Sequence, residues 1–255
     1  RLDRALEKLS RHIAPLGHLV SVAETKELRD AYNTVLPEIS AFWSSIPLNP
    51  DLWKRLEAFA NTNEAKSLGG IKQRHLDKTI DEFRRAGADL PADQKDQLRS
   101  LQVELAQAQQ KFSENVLDAT AAWALLVTDE SRLDGVPEAA KRRFSARAAE
   151  DGDEGWTLTL DYPSVEPILK HCRDSELRHE VFVAYTTRCR AGEHDNRPLL
   201  ARILRMRDEI AHILGYGGFP DYVLADRMAG TAVRAVSFEQ DLTERTRPYW
   251  QRDVQ

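Results

Sequence analysis

Apolar residues recur every three or four positions between residues 91 and 119. Leu98, Leu101, Leu105, Ala108, Phe112 and Val116 therefore share one face of a helix. Between them stand Gln, Lys, Asp, Glu and Arg, which favour a helix or tolerate its wet face. Pro91 suits a first-turn position, where its missing N–H loses no hydrogen bond, and no Gly or Pro follows it in the run. At 1.5 Å per residue this helix is about 43 Å long. A stripe of that length predicts helical partners along it. A lone coiled-coil strand is the competing reading, but the heptad pattern lasts only about three repeats and strand-like segments follow.

Shorter stripes precede the long one. Leu2, Leu6, Leu9, Ile13 and Leu16 predict a first helix that Pro15 and Gly17 should bend or end. Leu28, Tyr32, Val35, Ile39, Phe42 and Ile46 predict a second. Pro37 lies inside it and should kink rather than end it, because the stripe resumes in phase. Residues 46–50 read as a connector, with Asn49 as N-cap and Pro50 opening a short helix through Leu52, Leu56 and Phe59. Residues 61–70 read as loop. A helix with Leu76, Ile80 and Phe83 follows, stopped at Ala86-Gly87.

After residue 119 the period changes to two. Segments 123–128 and 156–162 read as strands of a small antiparallel ribbon, with a helix starting at Val136-Pro137-Glu138 between them. Such a ribbon is marginal alone and needs helices behind it. Ser164 and Ser175 are candidate N-caps for the next two helices, the second carrying Leu177, Val181, Ala184 and Tyr185. Pro198 opens a helix through Ile203, Met206, Ile210 and Ile213, closed by Gly215. Phe219-Pro220 opens another, ending at Gly230, and Thr231 caps a last helix running towards Trp250. The predicted class is mainly α, a multi-helix lobe with one small antiparallel β-ribbon. No repeat of solenoid length is visible.

Composition narrows the classes. Hydrophobic residues make up 42% and charged residues 30%, too apolar for disorder. A net charge of -5 without a basic face argues against nucleic acid. No apolar run is long enough to span a membrane, and the RLDRALEKL start is not signal-like. Two cysteines, Cys172 and Cys189, make no disulfide framework and fit a reducing, cytoplasmic setting. The absent initiator Met suggests a piece of something longer.

Candidate chemistry is thin. The histidines are His12, His18, His75, His171, His179, His194 and His212. His179-Glu180 begins a zinc-peptidase pattern, but Val183 stands where the second imidazole must sit. His171, Cys172, His179 and Cys189 match no usual ligand spacing. Lys141-Arg142-Arg143 with Arg147 abuts Glu150, Asp151, Asp153 and Glu154, as on a solvated face. Gly215, Gly217 and Gly218 lack the Lys-Ser or Lys-Thr of a phosphate loop. The residues thus assign no catalytic and no metal position, and leave substrate-binding residues unknown.

Ser113-Glu114-Asn115-Val116-Leu117-Asp118-Ala119, Trp123 and Leu126-Val127-Thr128-Asp129 resemble the oligopeptidase A branch of the thimet oligopeptidase family of zinc metallopeptidases. Gly135-Val136-Pro137, Leu158-Thr159-Leu160-Asp161-Tyr162-Pro163, Arg178, Ala184-Tyr185 and Arg188 continue the likeness in order. So do Leu214-Gly215-Tyr216, Asp221-Tyr222-Val223-Leu224 and Met228-Ala229, with Leu28-Arg29-Asp30-Ala31-Tyr32 upstream. The resemblance implies that residues 1–255 are the N-terminal lobe of a peptidase that cuts short peptides. It implies that zinc and its His-Glu-x-x-His helix belong to a C-terminal catalytic lobe absent from this chain. This lobe would then be channel wall and size filter, inactive alone. A stand-alone helical interaction module without activity is the alternative.

Overall fold

The computed structural model describes residues 2–254, with side chains from residue 6 onward, so the place of Leu2 in the first stripe lies outside the described residues. The chain runs α1 (Leu2–Val22), α2 (Lys26–Leu48), α3 (Pro50–Ala60), α4 (Asn63–Lys66), α5 (Gly70–Arg85) and α6 (Ala92–Ala121). Then come β1 (Ala124–Val127), α7 (Glu138–Asp151), β2 (Trp156–Thr159), α8 (Tyr162–His171) and α9 (Ser175–Thr186). The last elements are α10 (Arg197–Ile213), α11 (Phe219–Leu224) and α12 (Ala232–Asp253). This is the mainly helical class with a small antiparallel ribbon that the periodicity predicts.

Side-chain caps start several of these helices. Thr25 accepts from the Leu28 N–H at 3.2 Å, Asn49 from Leu52 at 3.0 Å, and Thr231 from Arg234 at 3.2 Å. Three expectations need correcting. Helix α1 does not end at Pro15 or Gly17 but continues to Val22, where Val20 is buried. The second helix passes Pro37 as expected, then also Pro47, where a connector was predicted; burial of Leu48 holds that last turn in place. The stretch 61–70 is not all loop: Thr62 accepts from Ala65 N–H at 3.1 Å and starts the short α4, with Ala65 buried. In each case packing outweighs the local breaker.

The two predicted serine caps are displaced. Helix α8 starts after Asp161, and the Ser164 hydroxyl inside it accepts from the Thr159 N–H at 3.0 Å. Helix α9 is capped by Asp174, which accepts from the Glu176 and Leu177 N–H groups at 2.9 and 3.1 Å. A carboxylate one residue earlier serves better there, because it also meets the positive helix end.

Contacts divide the chain into two units, residues 1–107 with 203–255, and residues 108–202. In the first, Leu48, Leu98 and Ile210 form a core with Leu90, Leu101, Leu105, Ile213 and Leu214. A second cluster joins Trp53, Phe83 and Ala88 to Ile46, Leu52, Leu56 and Ile80. Trp53 stacks on Phe83 at 6.1 Å and donates from Nε1 to Asp89 at 3.0 Å. Gly87 closes α5 with a φ of +97°, and a Cβ there would lie 2.8 Å from Leu90 and 2.9 Å from Leu98.

In the second unit β1 and β2 pair antiparallel, from Ala124 opposite Thr159 to Val127 opposite Trp156. The strands are shorter than the alternation suggested, since the chain after Thr159 turns at once into α8. Helices α7 and α8 both pack on β2, so Thr157 and Leu158 are both buried, where simple alternation predicts one wet face. Leu133, Phe144, Leu158, Val165, Ile168 and Leu177 form the centre of this core.

Candidate functional site

The structure separates the residues that looked metal-like. Among the described residues no three His, Cys, Asp or Glu side chains converge on a position for a metal ion. The sulfur of Cys172 lies 3.1 Å from the Arg132 carbonyl, and that of Cys189 lies 3.2 Å from the Asn115 carbonyl. Burial pushes both thiols up, which keeps them protonated and weakly nucleophilic. Two cations of the basic run are paired locally: Lys141 with Glu130 at 3.2 Å and Glu138 at 3.4 Å, and Arg147 with Glu150 and Asp151 at 3.2 Å; Arg143 donates to the Pro163 carbonyl at 3.2 Å. Gly215 adopts φ +82° to close α10, with Tyr216 N–H bonded to the Ala211 carbonyl; it is a helix stop.

His179, Glu180 and Val183 do meet, on the outer face of α9. With Ala119, Trp123, Leu160, Ala184, Thr187 and Arg188 they line a shallow trough in the second unit. Arg188 is held at its rim. Its Nε donates to the Tyr185 carbonyl at 3.0 Å, its Nη1 donates to the Thr120 hydroxyl at 2.7 Å, and the guanidinium lies 4.0 Å over the Tyr185 ring. The loop behind it is closed by two buried amides that the sequence reading missed. Asn115 Nδ2 donates to Asn196 Oδ1 at 2.8 Å, and Asn196 Nδ2 donates to the Phe112 carbonyl at 3.0 Å. Only the position of Asn115 on the apolar side of a long helix hinted at burial. The trough offers an apolar floor between a cation and a carboxylate. That suits contact with a peptide but includes no nucleophile–base pair.

A second constellation sits in the first unit around Arg85, near the end of α5. Its Nη1 pairs with Asp226 at 2.6 Å, its Nη2 donates to the Tyr222 carbonyl at 2.9 Å, and its guanidinium lies 5.3 Å over the Tyr222 ring. Tyr216 meets Tyr222 edge-on at 5.3 Å. Burial opposes charge on both Arg85 and Asp226, yet their pairing prevails, raising the first and lowering the second. Burial also pushes the Tyr222 phenol up. Asp221 Oδ1 accepts from the Ala232 N–H at 3.0 Å, which ties α11 to the start of α12. The tyrosines and Asp221 belong to the short motifs that carried the family resemblance, so those motifs have a structural duty here.

The arrangement of known families along the chain fits this geometry. The family model for the Neurolysin/Thimet oligopeptidase N-terminal domain matches residues 1–95, and that for Peptidase family M3 matches residues 168–255. The chain is 32% identical to oligopeptidase A of Salmonella typhimurium over 99% of its length, and 33% identical to oligopeptidase A of Escherichia coli over 96%. The chain resembles the oligopeptidase A members of peptidase family M3. It is also 32% identical over 89% of its length to a probable cytosolic oligopeptidase A of Arabidopsis thaliana. It spans 38%, 37% and 34% of the lengths of these three M3 relatives. Arg85 lies in the segment matched by the N-terminal-domain model, while Tyr216, Tyr222 and Asp226 lie in the segment matched by the M3 model. The ion pair and ring contact bind those two segments together inside one unit.

Proposed function

We propose that residues 1–255 are the N-terminal helical lobe of a zinc-dependent oligopeptidase that hydrolyses short peptides. The observation that carries this reading is the order of the two family matches, N-terminal domain first and M3 last, in a chain that spans 38% of an oligopeptidase A. In this reading the lobe contributes wall to a peptide-binding channel and limits entry by size. Its partners are short peptide substrates and the C-terminal catalytic lobe of the same protein. It works in the cytoplasm, as the name of the Arabidopsis relative states for that protein. Zinc, held by the part of the protein outside this chain, supplies an activated water and a polarised carbonyl. No residue of this chain is assigned to the metal. The chain's own contribution is positional: rigid helices, the Arg85 anchor and the Arg188 trough.

The test uses the full-length protein and one cleavable sequence presented in two ways. As a free peptide of about ten residues it should be cut, and as a loop within a folded domain it should be resistant. Equal cleavage of both would remove the size-filter role.

A further inference from the structure

Helix α12 is 22 residues long and buries none of them among the described residues. Only Ala232 and Ala235 at its start are half-buried; every residue from Val236 to Val254 is exposed. Its exposed side chains are not random. Phe238, Leu242 and Tyr249 fall at i, i+4 and i+11, which is one stripe, and Trp250 lies to one side of it. They are 66, 49, 63 and 65% exposed in that order. Gln240, Glu244, Arg247 and Gln251 occupy the opposite face, with Ser237 at its border. A helix with this pattern and no packing is marginal in water, because helices in proteins draw most of their stability from a buried apolar face. An exposed apolar surface of this extent marks an interface.

We infer that the Phe238–Leu242–Tyr249 face of α12, with Trp250 beside it, is a docking surface for the remainder of the peptidase. That occupant is the part of the M3 chain that this sequence does not span. Two observations select it over a second copy. The M3 match runs the whole length of α12, so the helix belongs to the peptidase body. The chain spans only 38% of an oligopeptidase A, leaving more than half of such a protein to supply a cover. The start of the helix is fixed from the other side: Asp221 holds the Ala232 N–H, and Arg85 holds Tyr222 and Asp226. Helix α12 is thus oriented from within this unit and stabilised from outside it. The inference rests on the peptidase-lobe reading.

The experiment is hydrogen exchange on the full-length protein at two concentrations tenfold apart. Amides of residues 236–250 should exchange at least about 100-fold slower than the unstructured chain, equally at both concentrations. Leu242→Asp should lower that protection about tenfold, and Ser237→Asp, on the polar face, should leave it unchanged. Near-intrinsic exchange in the unsubstituted protein overturns the inference, as does protection that grows with concentration, which would make a second copy the cover. These two results need no variant to fold. Zinc content is measured on the same sample. Zinc with an unprotected α12 overturns the docking alone, whereas protection without zinc overturns the peptidase reading and keeps the docking.

Discussion

Replacing Gly135 with alanine should destabilise the second unit far more than replacing Gly152, although the two share nearly the same backbone conformation. Their φ angles are +86° and +83°. An L-residue in that region costs about 1–2 kcal/mol at either site. The surroundings differ. A Cβ at Gly152 meets nothing within 4 Å, whereas one at Gly135 would lie 2.3 Å from the His171 carbonyl oxygen and 3.1 Å from Arg173 Cγ. That oxygen is backbone, and its neighbour is tied down, since Arg173 N–H donates to the Asp134 carbonyl at 2.8 Å. Overpacking of this kind adds about 1–3 kcal/mol. Gly152→Ala should therefore cost about 1–2 kcal/mol and Gly135→Ala about 2–5 kcal/mol. Urea unfolding followed by far-UV circular dichroism measures both. With a slope of about 2 kcal/mol/M, the extra cost lowers the midpoint by roughly 0.5–1.5 M at unchanged slope. Both glycines lie in the same unit, so both variants report on the same transition. Equal midpoints would refute the close approach of the 134–135 turn to the end of α8.

Three further outcomes follow from the same structure. Leu158→Ala removes a fully buried side chain from the β2 core and should cost about 2–5 kcal/mol by the same unfolding assay. Asp174 is held below the usual carboxylate range by the Leu177 and Glu176 N–H groups and by Arg132. Its folded value is depressed, so its stabilisation is present above the unfolded pKa, near 4, and is lost as pH falls through the folded value. Asp174→Ala should remove a cap worth about 1 kcal/mol near neutral pH, with a smaller loss at pH 3, as thermal melts at the two pH values will show. Asp195, paired with Arg197, titrates at about 2; in Arg197→Ala its carboxyl should move up towards about 3.9 in an NMR titration.

How much the chain disclosed before its structure depended on the range of the interaction. The stripe Leu98–Leu101–Leu105 and the caps Asn49 and Thr231 are local facts, written within one or two helical turns, and they hold. Pro47 misled because a breaker acts locally while Leu48 is buried with Leu98 and Ile210, far along the chain; α1 runs past Pro15 and packs on α2. The Ser175 assignment failed because Asp174 caps α9 one residue earlier, and the Ser164 assignment because α8 starts before it and its hydroxyl serves the Thr159 N–H instead. The Asn115–Asn196 pair joins residues 81 positions apart and leaves no local mark. The Arg85 anchor spans 137 positions and leaves no local mark either, although Tyr222 belongs to one of the motifs that carry the resemblance.

The most direct test of the account is zinc content, by elemental analysis, of the full-length protein beside the 255-residue chain, with cleavage of a quenched fluorescent peptide read in parallel. The account predicts one zinc per full-length molecule, cleavage abolished by a chelator, and neither metal nor cleavage with the shorter chain. Stoichiometric zinc and chelator-sensitive cleavage by the 255-residue chain would contradict it.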